Sequence, residues 1–179
     1  MPYLHRTWAL KGHTPIIKTR LRHRLKVTVL GSLTISPQRR RCGLHAEFLP
    51  GRSVTSADLI AHLSGLRRKL GVPLVVVLDN LQQHKSKALI AWCEKVGDVH
   101  LEYLPPDAPE LNPIEPAWSH GKCHTAAGRS ADTAAELQSL AEEAIAQADQ
   151  EHLLRGFVRS TKLPLKFDLP RRKDQSEAV

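Results

Sequence analysis

The sequence predicts an α/β fold, and three observations carry that prediction. Apolar residues alternate with mostly polar ones from Lys26 to Ile35 and again from Cys42 to Phe48. An amphipathic helical run follows from Ser56 to Leu70, and Pro73 to Leu78 is a continuous apolar run of strand length. Hairpin, helix, strand, helix, strand is the order of a sheet flanked by helices. At 179 residues the chain can bury one sizeable core, since domains of ~100 to 150 residues are commonest. The expectation is one domain over residues 1–169 and a disordered tail over 170–179.

The first segment, Met1 to Arg24, has little periodicity, with Gly12 and Pro15 marking turns. In the hairpin, Val27, Val29, Leu33 and Ile35 share one period, and Cys42, Leu44, Ala46 and Phe48 repeat it. Ser36-Pro37-Gln38-Arg39-Arg40 between them reads as a basic turn. Thr55 with Asp58 is a capping-box pattern, Leu59, Ile60, Leu63, Leu66 and Leu70 share a helical face, and Gly71 is a stop signal. The run Leu74 to Leu78 reads as a central strand covered on both faces, ending on Asp79.

Leu89, Ile90, Cys93 and Val96 mark a helix that stops at Gly97, and Val99 to Leu104 is a further strand. Pro105, Pro106, Pro109 and Pro113 make a rigid loop, after which Pro113 to Pro116 can open a helix. Thr133 and Glu136 form a second capping-box pattern ahead of an Ala-rich amphipathic helix. Leu153, Leu154, Phe157 and Val158 suggest one more.

Lys and Arg total 26 against 18 Asp and Glu, a net charge of +8. Phosphate neutralisation and counterion release make a polyanion the natural partner for such an excess, although a solvated basic surface explains it equally well. Three scattered cysteines without a CxxC pair suggest neither a disulfide scaffold nor a zinc ribbon, and fit a reducing cytoplasm. No apolar run is long enough for a membrane span. Aromatics at 4% argue against a stacking platform for single strands, so Trp8, Trp92 and Trp118 read as packing residues.

Asp79 stands at the carboxyl end of an apolar strand, where open α/β sheets place ligands. It can cap the following turn or bind a cation. Asn80 and His84 complete a compact polar cluster, in which His84 is either a surface residue or one that positions a phosphate. Glu115 lies 36 residues downstream of Asp79, at a helix start. It is either a first-turn glutamate favoured by the helix dipole or a second carboxylate converging on a hard ion such as Mg²⁺.

The combination narrows these readings. Val75-Val76-Val77-Leu78-Asp79-Asn80 with His84, then Leu104-Pro105-Pro106-Asp107-Ala108-Pro109-Glu110-Leu111-Asn112-Pro113-Ile114-Glu115-Pro116-Ala117-Trp118, resembles the mariner-related bacterial insertion-sequence transposases of the six-thirty type. The likeness extends through Arg6-Thr7-Trp8 and Gly12 upstream and the final helices downstream. It implies a ribonuclease-H-like mixed sheet flanked by helices, a site of three acidic residues holding Mg²⁺ or Mn²⁺, and DNA strand cleavage and joining by a homo-oligomer. Asp79 and Glu115 match the second and third acids, with Asn80 and His84 in support. Arg39, Arg40, Arg41, Lys85 and Lys87 are the candidates for contacts to the DNA backbone, each also readable as a solvated charge.

In that family the first Asp stands on a strand shortly before the segment matched by Arg6-Thr7-Trp8, which would put it ahead of Met1 with the helix-turn-helix region that reads transposon ends. The resemblance therefore implies an N-terminally truncated portion, lacking its first strand and inactive alone; the alternative is a non-catalytic fragment that binds DNA or a full-length transposase. Glu47, within the hairpin, and Asp58, at a helix start, are not substitutes for the first acid. Gly121, where the family continues a leucine-rich helix, hints at a decaying copy.

Overall fold

The computed structural model describes residues 9–13, 25–161 and 163. The Arg6-Thr7-Trp8 match, Pro15 and the expected tail from residue 170 lie outside them. β1 (Val27–Ile35) and β2 (Cys42–Pro50) form the hairpin, antiparallel with Leu30 opposite Glu47 and Leu33 opposite Leu44. α1 (Ser56–Leu70) follows, then β3 (Leu74–Leu78), α2 (Lys87–Val96) and β4 (Val99–Tyr103), with β3 and β4 parallel. The last third is helical: α3 (Ile114–His120), a π-helical turn (Gly121–Thr125), α4 (Ala134–Ala148) and α5 (Glu151–Ser160).

The helix ends follow from local chemistry. Thr55 and Asp58 bond reciprocally at the start of α1, and Gly71 ends it at φ 65°, a left-handed conformation that costs a residue without Cβ little. Ser86 caps α2 through Leu89 N, and Gly97 closes it at φ 75°. At α4 only half of the expected box forms: Thr133 accepts from Glu136 N, but the Glu136 carboxylate reaches back to Asp132 N instead.

The hairpin is buried on both faces. Toward α1, Leu30 joins Leu59, Leu63, Leu66, Leu78, Leu89, Cys93 and Val99 in one core. His62 of α1 is buried there between Ser32 Oγ (2.8 Å) and Glu47 Oε1 (3.0 Å), so both ring nitrogens have partners. Toward the helical third, Leu44 packs with Ala117, Ala148, Leu154 and Phe157. Gly31 sits on that second face because an added Cβ would lie 2.4 Å from Trp118 Cη2.

Among the described residues the strands form two two-stranded sheets, β1 with β2 and β3 with β4. β3 is not covered on both faces: Leu74, Val76 and Leu78 face the core, while Val75 and Val77 are 70% and 55% exposed. The apolar run reported strand, but only packing decides how many of its faces are covered. Ile90, placed with the apolar face of α2, is also exposed. Gly121 has a structural reason that requires no decay, since its Cβ would come 3.1 Å from that of Ala144, so the π-helical turn and α4 approach closely there.

Candidate metal-binding cleft

The chain leaves β3 at Asp79 and enters a 3-10 turn over Gln82–Lys85. Asp79 Oδ1 accepts from Leu81 N (3.2 Å) and lies 2.6 Å from His84 Nδ1. The same ring nitrogen is 3.3 Å from the Asp79 carbonyl. Asp79 is thus both a local turn-former and a carboxylate fixed at Oδ1 by an imidazole. Asn80 Nδ2 donates to the Leu104 carbonyl (2.7 Å), and Leu104 N donates to the Leu78 carbonyl (2.9 Å), tying the ends of β3 and β4 together.

Across from that edge, the proline-bounded loop runs into α3. Asn112 starts the helix twice, its Oδ1 accepting from Ile114 N (3.3 Å) and its carbonyl from Glu115 N (3.2 Å). Glu115 is thereby placed in the first turn, with an exposed side chain. Asp79, Asn80, Asp107, Asn112 and Glu115 line one open cleft of about 250 Å³. The two carboxylates singled out in the sequence therefore meet at one place.

His84 is not in the lining; it backs Asp79, and its carbonyl accepts from Tyr103 Oη (2.8 Å). Lys85 Nζ stands 5.8 Å from the Tyr103 ring centre, and Lys87 is the first residue of α2. Arg39, Arg40 and Arg41 are exposed at the hairpin tip, on a different part of the molecule from the cleft lining. Glu47 and Asp58 are committed elsewhere, to His62 and to Arg52 with Thr55. Sequence reading passed over Asp107, which joins the lining from a left-handed backbone (φ 53°), and Asn112, whose signal was an Asx residue two positions before a helix start.

The lining offers carboxylate and amide oxygens and no sulfur, a donor set suited to a hard divalent cation such as Mg²⁺ or Mn²⁺. Among the described residues no three His, Cys, Asp or Glu side chains converge closely enough to form a metal site by themselves.

An α/β fold with carboxylates gathered at the carboxyl end of a strand defines a class, that of proteins whose sheet edge presents acidic ligands. The chain belongs to the DDE superfamily of endonucleases, whose family description matches residues 1–138. No curated protein is similar to it in sequence. Among solved structures, the Mos1 strand transfer complex aligns at TM-score 0.58 and 17% identity, over 88% of this chain and 45% of that one. The Mos1 mariner paired-end complex with Mn aligns at 0.57 and 18%, over 88% and 46%. This likeness carries the ribonuclease-H-like α/β fold, and the chain spans about half the length of the solved chains it matches. No helix among the described residues is long and apolar enough to cross a membrane.

Proposed function

We propose that this chain belongs to the catalytic domain of a DNA transposase of the mariner-related, six-thirty insertion-sequence type, acting in the cytoplasm as a homo-oligomer on transposon ends and target DNA. The observation that carries the reading is that Asp79 and Glu115 line one cleft. Asp79 and Glu115 would hold the cation, while His84 fixes Asp79 in place and Asn80 keeps the strand ends together. Bound divalent ions supply activation of water or a DNA 3′-hydroxyl and stabilisation of the leaving oxygen. Arg39, Arg40, Arg41, Lys85 and Lys87 contact the DNA backbone.

In this reading Asp79 and Glu115 are two of the acidic ligands of the site. The test is a nicking assay on supercoiled plasmid with Mg²⁺ or Mn²⁺. Asp79→Asn and Glu115→Gln each lower cutting on the order of 10²- to 10³-fold. Undiminished cutting by both variants would sink the assignment of the site. A second reading, a regulatory fragment that binds DNA or a full-length transposase, is favoured by the net charge of +8 and requires salt-sensitive binding with no cutting.

A further inference from the structure

The hairpin tip is more ordered than a string of surface arginines requires. Ser36 holds it from inside: its Oγ accepts from both Arg40 N and Arg41 N (3.0 Å each), its carbonyl from Arg39 N (2.7 Å), and its N–H donates to the Arg41 carbonyl (2.9 Å). Arg39 takes a left-handed φ of 55°, which turns the backbone between its neighbours. A second brace comes from α5, where Arg155 Nη2 donates to both the Arg40 carbonyl and Glu151 Oε1. Arg155 keeps only 15% of its side chain exposed, so it serves the tip from beneath rather than facing solvent. This brace comes from beyond residue 138, where the family match ends.

We propose that the tip, residues 36–41, is a preformed clamp for the phosphate backbone of double-stranded DNA, with Arg155 as its positioning residue. The inference rests on the DNA-binding reading above. A guanidinium fork grips a phosphate best when the backbone beneath it is already fixed, because less freedom is then lost on contact. Glu151 is engaged by Arg155 at the brace. The path through the fold from the cleft to the tip is short. Gly31 faces Trp118, one helical turn from Glu115, and β1 then advances ~13 Å to Ile35. The whole path is on the order of 30 Å, about one turn of B-DNA.

The test is fluorescence anisotropy of a labelled duplex against NaCl concentration, with the full chain. Converting Arg39, Arg40 and Arg41 together to Gln lowers the slope of log affinity against log salt by about 2 to 3, since each phosphate contact contributes ~0.9. Arg155→Met weakens binding several-fold while changing that slope by less than one, and Arg155→Lys restores part of the loss. Amide hydrogen exchange at Arg40 and Arg41 speeds up in Arg155→Met, a readout that holds whether or not DNA is present, and thermal unfolding checks that the variant is folded. Salt-sensitive binding by the wild type that survives the triple substitution overturns the clamp and leaves the DNA-binding reading standing. Unchanged exchange in Arg155→Met overturns the positioning role. Absence of any DNA binding by the wild type overturns both readings.

Discussion

Nδ1 of His84 lies 2.6 Å from Oδ1 of Asp79, so the imidazole holds one oxygen of a cleft carboxylate. Residues that orient a metal ligand in this way typically contribute 10- to 100-fold to metal affinity. The His84 backbone is held separately, through Tyr103 Oη on its carbonyl, and the substitution should therefore spare the fold. His84→Ala is expected to weaken Mn²⁺ binding by about that 10- to 100-fold, read from the loss of the free-ion electron paramagnetic resonance signal on titration. An unchanged titration would remove His84 from the site.

Asp58 links stability to acid pH. Arg52 grips both its oxygens (2.6 and 2.7 Å) and Thr55 adds N–H and hydroxyl bonds, so the carboxyl is held well below the usual carboxylate range, with Arg52 the larger cause. Asp98 is lowered in the same direction by Arg67. A depressed folded value means that the stabilisation is fully present above the unfolded carboxylate value, ~3.9, and is lost as pH falls below it. Urea midpoints should therefore drop between about pH 4 and 2, and Arg52→Gln should flatten that drop. An equally steep loss in the variant would assign acid unfolding to other groups.

Local chemistry made the helices legible. Thr55, Asp58 and Gly71 signal the ends of α1 within a few residues of sequence, and Gly97 does the same for α2. The two faces of β3 were not legible, because Leu74 to Leu78 reads identically whether Val75 and Val77 meet a neighbour or solvent. At the site, Asp79 and Glu115 each had an adequate local explanation, and only the motif paired them. Asp79 bonds Leu81 N and also lines the cleft. Asp107 and Asn112 escaped notice because loop geometry brings them to the cleft, and no periodicity encodes it.

Gly31 and Gly121 should respond unequally to alanine. A Cβ on Gly31 would overlap Trp118 Cη2 and Cζ2 at 2.4 and 2.5 Å, against an indole held between the hairpin and α3. A Cβ on Gly121 would come 3.1 Å from Ala144 Cβ and into ordinary contact with the Ala144 backbone at 3.8 and 3.9 Å, a crowding that a small shift of α4 relieves. Gly31→Ala is expected to cost about 1 to 3 kcal/mol, the usual range for overpacking, and Gly121→Ala less. Trp118→Leu combined with Gly31→Ala should lose less than the sum of the single changes, because the first removes the atoms that clash. Additive losses in denaturant unfolding would show that the indole is not the obstacle.

His120 ends the helix that begins beside Glu115, with its ring 4.4 Å from that of His124 and 5.6 Å from that of Phe157. Burial, and secondarily the charge of His124, pushes its pKa below the ordinary histidine value. The neutral ring is thus the form that the fold favours. A lowered folded value means that this stabilisation is complete above the unfolded value of ~6.5 and is lost as pH falls below it. His124→Gln should move the His120 titration upward, but only part of the way, because burial is the larger cause and Phe157 remains. Imidazole chemical shifts followed by NMR from pH 8 to 5 report this directly. A His120 titration that does not move would exclude repulsion by His124, and one that returns fully to the ordinary value would exclude burial as the larger cause.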